Sequence, residues 1–137
     1  MATQFHSEIK TIHSNAEEIF RMLSDLSNIE KIKDKLPGDK IKEVEFDADS
    51  FKAKVDPIGQ IGFRIIEREP FATIKFQSEA SPIELFLWIQ LKQVAEKDTK
   101  IRLTVQAELN MFMKGLVSKP LQEGINKLAD LLTQLNY

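Results

Sequence analysis

The chain has no cysteine, one tryptophan, one tyrosine and two histidines among its 137 residues. Without cysteine there are no disulfides, no thiol catalysis and no thiolate-bound metal. Neither sign of charge dominates: 19 basic residues face 21 acidic ones, for a net charge of −2. That balance argues against broad electrostatic attachment to nucleic acid, which is not an expected partner. No apolar run is long enough to cross a bilayer; Ile83 to Leu91 is the longest near-continuous one and is too short, so no stable membrane insertion is expected. Met1 to His6 has no basic segment followed by an apolar run. A signal peptide is therefore not expected, and a cytoplasmic location is the default. There is no repeat and no low-complexity linker. What is present is ordinary for a folded protein, 42% hydrophobic and 29% charged, and a single domain over residues 1–137 with a real core is expected.

The clearest pattern lies at the end. From Pro120 to Tyr137, Leu121, Ile125, Leu128, Leu132 and Leu135 recur at steps of four and three, the spacing of one helical stripe. Gln122, Glu123, Asn126, Lys127, Asp130 and Gln134 form the polar face. Such a helix is about 25 Å long. Before it, residues 111–119 predict helix from about Met111, with a kink or break near Ser118 to Pro120, because proline has no amide to donate. Gly115 and Gly124 each weaken a helix by about 1 kcal/mol relative to alanine. Close packing on a strand is the expectation for Gly124; room for a ligand is the alternative.

At the other end, Phe5, Ser7, Ile9 and Thr11 alternate with polar residues and predict a strand with that set inward. Ser14-Asn15-Ala16-Glu17 is a capping box opening a helix that carries Ala16, Ile19, Phe20 and Leu23 and stops near Ser24-Asp25. Ser27-Asn28-Ile29-Glu30 repeats the pattern and opens a second, shorter helix through about Lys35, with Ile29, Ile32 and Leu36 apolar, before Pro37-Gly38-Asp39 breaks the chain.

From Lys40 the period changes to two. Val44 and Phe46 mark one strand, Phe51, Ala53 and Val55 the next, then Ile61, Phe63 and Ile65, then Ile74 and Phe76, then Ile83 to Leu91, then Ile101 to Leu109. The turns at 47–49, 57–59, 69–70, 81–82 and 96–98 are short, so the six strands predict an antiparallel meander and, with the first, seven strands. A long helix after such a series must bury its stripe on their apolar face.

This order resembles the helix-grip fold of the START-like superfamily, which includes lipid-transfer domains, plant pathogenesis-related allergens and the polyketide cyclase/dehydrase-like proteins of the SRPBCC group. Ile19-Phe20-Arg21-Met22-Leu23-Ser24-Asp25-Leu26-Ser27-Asn28 is similar to the superfamily's first-helix segment, with its aspartate between two helices. Ile66-Glu67-Arg68-Glu69-Pro70 followed by Ile74-Lys75-Phe76 is similar to its mid-sheet hairpin, and the last helix takes the place of the gripping helix. The resemblance implies an α+β helix-grip fold: a seven-stranded curved antiparallel sheet around a long C-terminal helix, with two short helices between strands 1 and 2. It also implies an apolar cavity between sheet and helix. It implies no single reaction, since binders, carriers and enzymes share the fold. Cyclase enzymes of this group place polar acid–base groups in the cavity, and no matching set is found here.

The search for chemistry returns little. His6 has the outward parity and His13 precedes the capping box at a strand end; their spacing matches no metal-ligand pattern. Asp25 is expected to cap the second helix near Ser27, with a place at the cavity mouth as the alternative. Glu67, Arg68 and Glu69 read as a solvated strand end. No nucleophile motif or Gly-rich phosphate loop occurs. No catalytic residue, metal or cofactor is therefore assigned.

The inward parity is nearly all apolar, with Ser7, Thr11 and Ser78 as the polar exceptions. The expected ligand-binding wall takes Ser7 and Ile9 from the first strand, then Phe46, Phe51, Phe63 and Ile65. It continues with Phe76, Ser78, Leu87, Ile89, Leu103 and Val105, and ends with Leu116, Leu121, Gly124, Ile125 and Leu128 of the helix. The leading expectation is non-catalytic binding or transport of a small hydrophobic, lipid-like or polyketide-like molecule. The alternatives are a polyketide cyclase-like enzyme and a protein-interaction module with a filled cavity. Phe86 and Trp88 alternate with the inward residues, so they form either an outer patch, through which a homodimer is one expectation, or a place where a twist turns one ring inward.

Overall fold

A computed structural model of the chain describes residues 2–31, 33–35, 41–55, 59–79, 83–135 and 137. The strands are β1 Ala2–His6, β2 Lys10–Ile12, β3 Ile41–Phe46, β4 Ser50–Val55, β5 Gly59–Glu69, β6 Thr73–Glu79, β7 Leu85–Ala95 and β8 Asp98–Glu108. Helix α1 is Ala16–Leu23, and α2 is Met111–Thr133. The strands form one antiparallel sheet in the order β1-β8-β7-β6-β5-β4-β3, with β2 also paired to β8. The sheet curves around α2, and the core between them includes the fully buried Ile74, Phe76, Leu85, Ile101 and Leu103. Among the described residues, no helix is long and apolar enough to cross a membrane. The expected turns at 57–58 and 81–82, the break at 37–39, and Ile32 and Leu36 lie outside the described residues.

The expected first strand is split in two. His6 pairs with Thr104 and Lys10 with Ile101, so residues 7–9 oppose only residues 102–103. Ser7 stabilises this extra residue: its amide donates to the Leu103 carbonyl, and its hydroxyl accepts from the Leu103 amide at 2.8 Å. One extra residue reverses which parity faces inward. Lys10 and Ile12 therefore take the inner positions expected for Ile9 and Thr11. Ile12 is buried and Ile9 is 66% exposed.

Helix α1 starts one residue later than the capping box suggests. Asn15 is its N-cap and accepts from the Glu18 amide, while the Ser14 hydroxyl donates to the Glu18 carboxylate. The second helix is a pair of 3-10 turns, Leu26–Lys31 and Lys33–Lys35.

Helix α2 runs through Pro120 without the expected break, about 34 Å at 1.5 Å per residue. Proline removes the bond to the Leu116 carbonyl. Leu116 lies on the exposed side, where water can serve that carbonyl. Asn110 caps the start by accepting from the Met113 amide. The buried stripe is Val117, Leu121, Ile125, Ala129 and Leu132. The polar row beside it docks the helix on the split strand. Gln122 donates to the His6 carbonyl, Asn126 accepts from the Glu8 amide, and Asp130 pairs with Lys10 at 2.9 Å.

Candidate functional site: an apolar cavity under the long helix

Between the sheet and α2 lies a cavity of about 300 Å³. Its floor is the inner row of the sheet, with Phe51 and Ala53 of β4, Ile61 and Phe63 of β5, Phe76 of β6, Leu85, Leu87 and Ile89 of β7, and Val105 of β8. The α2 face supplies Pro120, Leu121, Gly124, Ile125, Leu128 and Leu132, with Leu135 beyond it. Ile41 and Val44 close one side. They share a face despite an odd spacing because the β3–β4 register shifts between Lys42 and Glu45, where Glu43 has φ 53°. Met22 and Leu23 of α1, followed by Asp25, Leu26, Asn28 and Ile29, complete the wall.

Among the described residues, Asp25 and Asn28 are its polar side chains. Asp25 Oδ1 accepts from both the amide (3.0 Å) and the hydroxyl (2.6 Å) of Ser27. These bonds favour the ionised carboxyl, and the Ser27 hydroxyl and amide, then Arg68 and Lys31, hold it below the ordinary carboxylate range. Asn28 Nδ2 donates to the Met22 carbonyl at 2.9 Å. Arg68 fixes the same corner: its guanidinium donates twice to the Ser24 carbonyl and once, at 2.6 Å, to Asp49. The expected solvated strand end at 67–69 is therefore partly a clamp between β5, the end of α1 and the β3–β4 turn.

No family model matches the sequence, and no curated protein matches it. Solved structures do match. Norcoclaurine synthase from Thalictrum flavum, solved with dopamine and hydroxybenzaldehyde, superposes with a TM-score of 0.75 over 98% of this chain and 86% of its own, at 14% identity. A START superfamily protein from Mycobacterium smegmatis gives a TM-score of 0.64 at 12% identity, covering 96% of this chain and 94% of its own. TTHA0849 from Thermus thermophilus gives 0.67 at 18% identity, covering 96% and 95%. The chain has the helix-grip fold of the START-like proteins. At such identities the likeness concerns the fold alone.

Within this helix-grip frame, Phe51, Phe63, Phe76, Leu87, Ile89, Val105, Leu121, Gly124, Ile125 and Leu128 of the residues read from the sequence line the cavity. The others are placed elsewhere. Ser7 is buried but engaged in the strand break, and Ser78 Oγ accepts from the Leu85 amide. Thr11 accepts from Lys100. The hydroxyls expected to face inward thus serve backbone and surface bonds. Ile9 is turned out by the extra residue, and Leu116 is 55% exposed because it precedes the buried Val117 on the helix. Ile65 and Leu103 are buried in packed core, and Phe46 is half-buried at the end of β3.

Gly124 corrects the expectation of close packing, since a Cβ built there meets nothing within 4 Å. Close packing occurs instead at Gly62, where a Cβ would stand 2.8 Å from the Glu79 carbonyl oxygen. The wall read from the sequence left out Met22, Leu23, Leu26, Asn28, Ile29, Ile41, Val44, Ala53, Ile61, Leu85, Pro120, Leu132 and Leu135. Leu23, Ile29, Val44, Ala53, Ile61, Leu85, Leu132 and Leu135 carried a signal as apolar members of their helices and strands, whereas Asn28 carried none.

On the outer face of the sheet, Phe86 and Trp88 are half-buried neighbours, with ring centroids 6.1 Å apart. The Lys75 ammonium lies 5.1 Å from one centroid and 5.2 Å from the other, a cation–π arrangement within the chain. His13 Nδ1 lies 2.9 Å from Asp98 on an exposed edge. No group of three metal-ligating side chains occurs among the described residues.

Proposed function

We propose that the protein binds, and carries without chemical change, a small and largely apolar molecule in the cavity beneath α2. The observation that carries this reading is the cavity itself: about 300 Å³ of space with a wall of apolar side chains relieved, among the described residues, by Asp25 and Asn28. Sites for small molecules are of this kind, concave and mostly apolar with a few polar groups for orientation. At the ~30 Å³ that a water molecule occupies in the liquid, the space accommodates about ten non-hydrogen atoms. Open space of this size speaks against an interaction module with a filled core. Proton-transfer catalysis wants a group poised near neutrality, and a carboxylate held below its ordinary range is a poor acid or base there. That supports a binder over a cyclase-like enzyme.

The test is a calorimetric titration with a series of straight-chain molecules, alongside a native mass spectrum of protein from its own host. Affinity is expected to climb by about 0.8 kcal/mol per methylene until the cavity is full, then level off. No binding at any length, with no retained ligand in the spectrum, would overturn the reading. Conversion of a bound compound would replace it with the enzyme.

A further inference from the structure

Among the described residues, the polar corner of the cavity presents mainly hydrogen-bond acceptors, with the second N–H of Asn28 Nδ2 as its one uncommitted side-chain donor. Asp25 Oδ1 is taken by Ser27, while Oδ2 has no partner among the described residues. Asn28 commits one N–H of its Nδ2 to the Met22 carbonyl, which leaves its Oδ1 and its second N–H uncommitted. The charges of Arg68 and Lys31 both bear on Asp25; the Arg68 guanidinium is held by Ser24 and Asp49, and Lys31 is not among the described wall residues. The remaining wall, among the described residues, is apolar.

We infer that the ligand carries one hydrogen-bond-donating end, an ammonium or a hydroxyl, which sits at Asp25 Oδ2 and Asn28 Oδ1 while the apolar body fills the space under α2. This rests on the cavity being the binding site. A carboxylate end has only acceptors to offer, so at this corner it would meet the like charge of Asp25 and further acceptors, with the second N–H of Asn28 as its one side-chain donor among the described wall residues. An ammonium would instead gain a charge-assisted bond to an ionised carboxylate. A hydroxyl would donate to the same atoms without the charge. The corner therefore selects among head groups while the wall reads chain length.

The experiment compares octylamine, octanol and octanoate by calorimetry at neutral pH, on the wild type and two variants. On the wild type, octylamine is expected to bind most tightly and octanoate least, with about tenfold or more between the extremes. In Asp25→Asn, which keeps an acceptor for Ser27 but loses the charge, the gap between octylamine and octanoate should shrink several-fold. In Ser27→Ala, which releases the same turn but leaves the carboxylate, the wild-type order should persist. Equal binding of the three head groups, or octanoate binding best, overturns the inference and leaves the cavity reading intact. Binding of none of them overturns both. The wild-type order decides the matter even if a variant fails to fold.

Discussion

Gly124→Leu separates stability from binding more cleanly than any other single change. The position is inside α2, where glycine is about 1 kcal/mol less favourable than a good helix former. A Cβ there meets no atom within 4 Å, so the first carbon of the new side chain is not overpacked. The variant should be more stable by about 1 kcal/mol. The added isobutyl group has an apolar cavity to enter, and Gly124 is part of its wall. Its four carbons should displace about as many from the longest ligand; at about 0.8 kcal/mol each, that is roughly 3 kcal/mol, or a hundredfold in affinity. Short ligands should bind as before. Urea unfolding measures the first effect, and titration of the straight-chain series measures the second. A loss of stability above about 1 kcal/mol would show that the glycine is closely packed. An unchanged length limit would show that the ligand does not lie under α2.

Gly115→Ala, at the other open glycine of α2, should also stabilise by about 1 kcal/mol in urea, with no effect on binding because Gly115 is not in the wall. Gly62→Ala should destabilise by more than about 1 kcal/mol, since the new methyl meets a backbone carbonyl oxygen at 2.8 Å; a neutral result would refute the close approach. Leu128→Ala, at a half-buried wall position, should cost less than Leu103→Ala at a fully buried one, for which about 2–5 kcal/mol is expected; denaturant midpoints compare the two. The carboxyls of Asp25 and Asp47 are both held below the ordinary value of 3.8, Asp25 first by the Ser27 hydroxyl and Asp47 first by the Asp49 amide. Their contribution is present above that value and is lost as pH falls through the lower folded values, so Ser27→Ala should flatten the acid limb of a stability–pH curve below about pH 4.

The periodicities determine most of the fold. Steps of three and four after Pro120 specify a helix with one apolar face, and period-two runs from Lys40 specify strands. Short connections pair those strands in order, as the sheet does from β3 to β8. Many of the wall residues on the sheet, from Phe51 to Val105, follow from parity alone because regular strands keep it. Parity fails where one strand takes an extra residue against its partner, as at 7–9 opposite β8 and at Lys42–Glu45 opposite β4. Such insertions depend on bonds to a distant strand, like that between Ser7 and Leu103, and leave no local periodic trace. Gly124 and Gly62 are alike in sequence, yet one faces open space and the other a carbonyl oxygen. Only the tertiary structure decides that, by setting Gly62 between β4 and β6 and Gly124 on α2 beside the cavity. The same holds for Asp25, whose role as a turn cap is local, while its place in the cavity wall depends on α1, β5 and α2 converging around it.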